Sequence, residues 1–320
     1  MKPRDHSRLL VWDKKTQKIK HQHFYDLSDL LQSGDVLVLN DTKVFPARLS
    51  GRKSSGGQVE VFLLKPIKSG IWEALVGGWT KPGTKIILAK DFAATVLGDT
   101  KDKIKQIKFN MAGAKLNKKI VQLGQTPLPP YIKTKDSPQI RRDYQTVFAK
   151  NRGSVAAPTA GLHFTKSLLS RLKNKGIKIY KITLHVGWST FAPVVVSDIA
   201  QHHIHEELVS INKRTARAIN KLKKSGSRII AIGTTTIRAL EAMTKNGLLQ
   251  SGQTWAKIYI YPGYKFQLVD ALISNFHLPR SSLLFLVSAL AGRQNILRVY
   301  QIAVRKKYRF YSFGDAMFIH

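Results

Sequence analysis

The chain has 320 residues, 43% of them hydrophobic, with 53 Lys plus Arg against 19 Asp plus Glu, a formal charge of +34. It contains no cysteine, which excludes disulfides, thiolate nucleophiles, cysteine zinc sites and iron–sulfur clusters. So large a cationic excess repels itself unless an anionic partner answers it. Nucleic acid is the first candidate, an anionic membrane surface the second, and compositional drift the plain alternative.

The opening Met-Lys-Pro-Arg-Asp-His has no apolar core of the signal-peptide kind. The longest apolar run, 283–291, is far short of the ~20 residues that span a bilayer. A soluble, cytoplasmic protein is expected. Val36 to Leu39 reads as a buried strand ended by Asn40 and Asp41. From there to about residue 125 the pattern is almost all strand and turn. Strands are expected at 58–64, 72–76, 85–88, 94–97 and 103–109, each bounded by Gly, Pro or Asp. Strands this short and this closely spaced point to a small barrel or sandwich. Gly78 to Lys85 imitates a phosphate-binding loop, but its lysine is misplaced and it lies among strands, so that reading is rejected. Pro127, Pro129 and Pro130 form a stiff connector.

Beyond it the pattern changes. Gly153 to Thr165 has neither a two-residue nor a 3.6-residue period, and it is poor in charge although the protein is full of lysine. Ser154, Thr159 and His163 bring the only ready chemistry there. A ligand loop and a buried, tightly packed connection both fit. Thr165 is placed to cap a helix running to Lys175, with Gly176 as its stop, followed by a strand at 177–182. A helix is expected to begin near Ser197 and carry His202 and His205 on one face. That pair suits hydrogen bonding or base work better than metal, since no third ligand is evident. An amphipathic basic helix at 211–224 precedes a strand at 228–232. Gly233 to Thr236 then opens a helix whose N–H groups and hydroxyls suit an anion, ordinary threonine capping being the alternative. A further strand is expected at 257–261. Asp270, Asn275 and His277 enter an apolar segment, where polar groups must find each other or a ligand. Ser281 or Ser282 caps the apolar helix that follows. Arg305 to Asp315 interleaves base and aromatic, which suits either phosphate contact with base stacking or a core strand with a solvated edge. No Gly-x-Gly-x-x-Gly opens a helix, so a dinucleotide fingerprint is absent. Alternating strands and helices give an α/β class.

A set of runs then carries a resemblance. They are Gly34-Asp-Val-Leu-Val-Leu-Asn-Asp-Thr-Lys-Val-Phe-Pro-Ala-Arg48, Pro127-Leu-Pro-Pro-Tyr-Ile132, and Tyr144-Gln-Thr-Val-Phe148 leading into Gly153–Thr165. Next come Leu184-His-Val-Gly187 with Thr190-Phe191, His202-x-x-His205 and Gly233-Thr-Thr-Thr-Ile-Arg238. Tyr261-Pro-Gly-Tyr264, Asn275-Phe-His-Leu-Pro279 and Tyr308-Arg-Phe-Tyr-Ser-Phe-Gly-Asp-Ala-Met317 complete it. In this order, over nearly the whole chain, they resemble the S-adenosylmethionine:tRNA ribosyltransferase-isomerases of queuosine biosynthesis. Three departures stand out. The chain opens almost at the Arg4–Leu10 run, without the short segment that family members carry before it, so a shortened start is expected. Ser189 and Ala192 stand where the pattern has a glycine and an arginine, which removes one anion contact. The lysine excess exceeds what the family requires.

The resemblance implies a barrel-like α/β main domain from residues 1–47 and 127–320, with an inserted, smaller β-barrel-like domain at 48–126. It implies transfer and isomerisation of the ribosyl group of S-adenosylmethionine, a consumed substrate, onto 7-aminomethyl-7-deazaguanine at a tRNA wobble position. Epoxyqueuosine-tRNA, adenine and methionine result. No true cofactor, metal or membrane is implied, and a monomer is expected. His163, His277, His185 and Asp270 are the expected catalytic residues, with His163 and His277 first for base and acid. Ser154, Thr159, His202, His205, Thr235 and Asn275 are expected to bind substrate. Lys43, Arg48, Arg238, Arg280, Lys307 and Arg309 are expected to meet tRNA. A tRNA methyltransferase and a non-catalytic RNA-binding protein are the competing readings, and release of adenine separates all three.

Overall fold

A computed structural model describes residues 3–100, 103–191, 194–196, 198–202 and 204–320, with the side chains of Ser189 and Phe191 left aside. Ala192 and the Ser189 side chain therefore lie outside the described residues, as does His203. The chain divides into two compact units, one of residues 1–43, 145–151 and 157–320, the other of 44–144 and 152–156.

The first unit is built on a nine-stranded mixed sheet. Its strands run in the order Gly252–Ala256, Glu207–Ile211, Lys178–Leu184, Val36–Asn40, Ile229–Ile232, Ala271–Asn275, Ala316–Ile319, Arg8–Trp12, Ile19–His23. Four central strands, from Lys178–Leu184 to Ala271–Asn275, run parallel. Covered on both faces, a parallel strand reads as an unbroken apolar run, which is why 36–39 and 229–232 carry no polar alternation. The two-residue period still sorts the side chains. Leu37, Leu39, Ile230, Ile232, Ala271, Ile273, Phe318 and Leu9 share one core with Phe24, Leu27, Phe164, Leu168 and Leu172. Each fully buried Leu or Phe there contributes about 1.5–3 kcal/mol. Thr234–Ala242 packs against the sheet at the strands 36–40, 178–184 and 229–232.

Helix Lys166–Asn174 starts where expected, the Thr165 hydroxyl accepting from Leu168 N at 3.1 Å. Ser281 caps Ser282–Ala291 the same way, at 3.2 Å to Leu284 N. Three expectations fail locally. The strand expected at 257–261 lies earlier, at Gly252–Ala256, because its pairing with Glu207–Ile211 ends at Ala256. No helix carries His202 and His205; a 3₁₀ turn at Ile199–Gln201 gives way to irregular chain. Arg305 to Asp315 is neither a strand nor a free aromatic arm. Tyr308 and Phe310 pack on Phe276, at 5.4 and 5.1 Å between ring centres.

The second unit contains a closed six-stranded antiparallel barrel, ordered Lys105–Phe109, Ile71–Val76, Gln58–Lys68, Arg48–Lys53, Lys85–Ala89, Phe92–Asp99. Alternation fills it: Val59, Val61 and Leu63 point inward from one strand, Phe92, Ala94 and Val96 from another. Gly51 is required, since a Cβ there would sit 2.7 Å from the Ile87 carbonyl oxygen. Helix Gly113–Leu123 follows the last barrel strand. Among the described residues no helix is long and apolar enough to cross a membrane.

Candidate active site

Asn40, His185, Gly233 and Asn275 all stand at the carboxyl ends of the four parallel strands. Such an edge is where open α/β sheets bind ligands. The antiparallel strand Ala316–Ile319 and its parallel neighbour Arg8–Trp12 bring Asp315 and Ser7 to the same edge, since Asn275 and Leu9 both face Ala316.

His163 lies at the end of a 3₁₀ turn, Thr159–His163, and is 4% exposed. The charge-poor loop is thus a buried, packed turn over most of its length. Its small residues are needed: a Cβ on Gly161 would come within 2.8 Å of the Phe148 ring and 2.9 Å of the Thr146 methyl. The imidazole stacks on Phe24 at 5.0 Å. Asn275 Nδ2 donates to His163 Nε2 at 3.1 Å and to the Tyr311 carbonyl at 3.1 Å. With Nε2 accepting, the proton sits on Nδ1 and is donated to Ser7 Oγ at 2.7 Å. Burial pushes the His163 pKa down to about 4, so the ring is neutral near pH 7. The Asn275 Oδ1 atom is buried with no partner, an acceptor left open to a donor from a ligand.

Beneath Ser7 lies Asp315, fully buried, accepting from Arg8 N at 3.0 Å, Arg309 N at 2.9 Å and the Arg309 guanidinium at 2.6 Å. Burial opposes its ionisation, but the bonds from Arg309 and Arg8 outweigh that and hold its pKa below the usual carboxylate range.

On the other side of the edge, Asn40 fixes Leu184 from both directions, donating to its carbonyl at 2.9 Å and accepting its N–H at 3.0 Å. Asp41 Oδ1 accepts from Thr183 Oγ1 at 2.7 Å and Asn151 Nδ2 at 3.0 Å. Thr42 Oγ1 gives its proton to the Asn151 carbonyl at 3.4 Å and accepts from His185 Nδ1 at 2.8 Å. That leaves the lone pair of a partly exposed His185 on Nε2. Burial lowers the pKa of His185 and the charge of Asp41 partly restores it.

Between these two clusters stands the Gly233 turn, at φ +89°. A Cβ on Gly233 would lie 3.5 Å from Ala160 Cβ, so the turn and the Thr159–His163 segment touch. Helix Thr234–Ala242 begins there, and Thr235 Oγ1 is buried with no partner. A helix N-terminus with an unanswered hydroxyl suits an anion.

The other expected residues fall elsewhere. His277 is at the same edge, but Ser274 Oγ bonds its Nε2 at 2.9 Å and burial pushes its pKa down to about 4. Neither it nor His163 is a strong base near neutrality. Asp270 lies apart from this edge. It sits at the opposite end of the strand from Asn275, where it accepts from Lys223 Nζ at 2.6 Å and Ile229 N at 2.8 Å. Its carboxylate joins two elements and does not face the site. His202 and His205 go to different neighbours, Tyr259 at 5.4 Å and Trp188 at 5.1 Å. Ser154 is buried in the second unit, its carbonyl accepting from Phe45 N at 3.1 Å. Thr159 stays partly exposed at the start of its turn.

Of the expected RNA cations, Lys43, Arg280 and Lys307 are exposed, Arg309 is exposed but paired with Asp315 at 2.6 Å, and Arg48 is partly exposed beside Glu60 at 2.5 Å. Arg238 differs from these cations in its surroundings. It is 6% exposed and ion-paired with Glu207, itself 2% exposed, so its charge is already answered inside the protein. Glu207 also accepts from Gly187 N at 2.8 Å and Thr190 Oγ1 at 3.3 Å, which anchors the segment after His185. Ser7, Asn40, Asp41, Thr42, Glu207 and Asp315 were not expected as site residues. A polar residue directly abutting an apolar run was the available signal for Asn40 and Asp315.

The buried histidines make the fold sensitive to acid. Above pH 6.5 folded and unfolded chains carry the same neutral rings. As pH falls from 6.5 toward 4 the unfolded chain takes protons that the folded His163 and His277 refuse, so stability is lost across that window. Each ring is expected to remove about 1–2 kcal/mol by pH 5, and Asp315, with its lowered pKa, adds a loss below about pH 4. Urea unfolding at pH 7.5 and pH 5 measures it; equal midpoints would contradict the burial of neutral rings.

A family model described as "Queuosine biosynthesis protein" matches residues 1–319. An Aquifex aeolicus protein named S-adenosylmethionine:tRNA ribosyltransferase-isomerase is 49% identical, over 99% of this chain and 93% of its own length. A Thermotoga maritima protein of the same name is 46% identical, over 100% and 94%. A crystal structure of an S-adenosylmethionine tRNA ribosyltransferase from Thermotoga maritima superposes with a TM-score of 0.55 at 36% identity, covering 100% of this chain and 94% of that one.

Proposed function

This chain belongs to the queuosine biosynthesis protein family, and from that premise we propose that it moves the ribosyl group of S-adenosylmethionine onto 7-aminomethyl-7-deazaguanine at a tRNA wobble position. It then isomerises that group, giving epoxyqueuosine-tRNA, adenine and methionine. The observation that carries this reading is the single sheet edge at which His185, the His163–Asn275–Ser7 network and the Gly233 helix N-terminus meet. We place the chemistry in the unit built on the large sheet, in a monomer working in the cytoplasm.

The sulfonium acidifies the C5′ protons of the donor. Removal of one by a positioned base forms an ylide, whose electron pair expels the ring oxygen from C4′. That oxygen becomes a carbonyl at C1′ as adenine leaves with the glycosidic electron pair and takes up a proton. The neutral amine of the acceptor adds to C4′ of the resulting vinyl sulfonium and loses a proton. The carbanion this regenerates at C5′ bonds to the C1′ carbonyl. The alkoxide so formed closes the epoxide onto C5′ as the C–S bond breaks and methionine leaves. His185 Nε2 is the base this geometry favours, because Thr42 holds the proton on Nδ1. His163, neutral and doubly bonded, orients Asn275 and Ser7 and does not itself titrate near pH 7. Thr235 and the N–H groups at the start of its helix receive a carboxylate or phosphate oxygen. Thr159 lies on the rim. Asn275 Oδ1 accepts a donor from the substrate. Lys43, Arg48, Arg280, Lys307 and Arg309 are the cations we assign to the RNA backbone.

The test incubates the purified chain with S-adenosylmethionine and tRNA carrying the aminomethyl-deazaguanine, with free adenine and methionine read by mass spectrometry. Release of both, dependent on that tRNA, supports ribosyl transfer. S-adenosylhomocysteine would mean a methyltransferase, and bound tRNA without any product would mean a binding protein.

A further inference from the structure

The segment 77–83, Gly-Gly-Trp-Thr-Lys-Pro-Gly, joins the barrel strands Ile71–Val76 and Lys85–Ala89. It is the run that imitates a phosphate-binding loop, and nothing in the proposed reaction uses it. Trp79 in it is 78% exposed. Isolated exposed apolar side chains are ordinary, but the backbone beneath this one is pinned. Lys53 Nζ donates to the Trp79 carbonyl at 2.6 Å, and Lys105 Nζ to the Thr80 carbonyl at 3.1 Å. Gly77 N reaches the Glu60 carbonyl at 2.9 Å and Gly83 N the Val96 carbonyl at 2.8 Å. Gly78, at φ +66°, makes the turn that sends Trp79 out while Thr80 stays buried.

The surroundings are cationic. Lys53 and Lys105 donate to the loop's own carbonyls, Lys81 stands in the loop and Lys85 just after it, and of the nearby carboxylates Glu60 is paired with Arg48 and Asp99 with Lys105. An aromatic face held rigid among ammonium groups binds two things at once: a base on its π-face and phosphates beside it. A duplex offers the second without the first, because its bases are already stacked.

We propose that Trp79 is a stacking platform for an unpaired nucleobase of the RNA substrate, with the surrounding lysines on the flanking phosphates. The inference rests on the reading that this enzyme acts on RNA, and it adds a contact on the barrel to those assigned above.

The test titrates the full chain with a short unstructured RNA and with the same RNA annealed to its complement. Tryptophan fluorescence and the anisotropy of a labelled RNA are followed together. The expected result is quenching by the single strand and a Trp79→Ala variant that binds it about five- to a hundredfold more weakly. Trp79→Phe keeps a π-face and should recover much of that loss, and Lys81→Met should lessen the salt slope by about one. Unchanged urea midpoints would show that the exposed ring was not supporting the fold. Affinity of Trp79→Ala within twofold of the parent, or an equal loss for single strand and duplex, overturns the stacking assignment. If the parent chain releases adenine from tRNA while either of those results holds, only the platform falls. If it binds no RNA and releases no adenine, the platform and the RNA reading fall together.

Discussion

Replacing His185 with alanine should slow adenine release by about 10²–10⁴-fold, the usual contribution of a positioned proton acceptor. His185 directly follows the Lys178–Leu184 strand. Asn40 clamps Leu184 in place, and Thr42 accepts from His185 Nδ1 at 2.8 Å. A base must be neutral to act, and burial lowers the pKa of this ring from 6.5. The rate at low substrate should therefore be level above neutrality and fall as pH drops through that lowered value. The alanine variant should lose this acidic limb as well as the rate. A simply misfolded variant would lose rate and keep the shape of the profile in its residual activity. Adenine release followed between pH 5 and 8 decides it. A variant within tenfold of the parent, its acidic limb intact, would give the proton to another group.

Glu207→Ala is expected to cost about 3–5 kcal/mol, because it strands a buried guanidinium. Arg238 is 6% exposed, and its Nε atom already has no partner. Its other nitrogens rely on Glu207 and on the His205 carbonyl at 3.3 Å. Removing both charges with Glu207→Met and Arg238→Met should recover part of the loss, since replacing a buried pair is far cheaper than breaking one. The chain has two compact units, so one global unfolding curve can blur the effect. Hydrogen exchange over 185–190 and 207–211 reads it locally. Protection unchanged in the single variant would mean that Arg238 finds water without help.

Much of this architecture is legible as pattern. Runs such as Val36–Leu39 and Ile229–Ile232 announce strands because a doubly covered parallel strand has no polar face to hide. The Thr165 and Ser281 caps are equally local, needing only a hydroxyl three residues before a free N–H. What pattern does not carry is pairing. Asp270 and Asn275 are neighbours in sequence, and both looked like polar groups entering a core. A strand separates neighbours by ~3.3 Å per residue, which puts one in the site and the other at the far edge with Lys223. Ser7 and Asp315 were missed for the converse reason. They are chemically ordinary residues that meet partners far along the chain, Ser7 with His163 156 positions on and Asp315 with Arg8 307 positions back. Glu207 follows Glu206 and reads as one half of a solvated acidic pair, until it becomes the first inward residue of a strand. His163 was found through its odd surroundings, but its neutral, doubly bonded state depends on Ser7 and Asn275 arriving from elsewhere.

The pairing of the first strand with the last also sets an order in time. Arg8 N reaches Asp315 across 307 residues of chain, and Leu9 lies beside Ala316 within the large sheet, one strand in from its edge. Closing so long a loop costs entropy before any contact rewards it, and proteins ruled by distant pairings fold slowly. The barrel, whose six strands all lie between residues 48 and 109, can form while synthesis continues. The large sheet has to wait, with an open seam beside Ala271–Asn275, until residue 316 emerges. During synthesis the edge strands that will flank that seam are exposed to other chains. Loss of only the final strand would leave Asn275 and Ser7 on opposite sides of a gap.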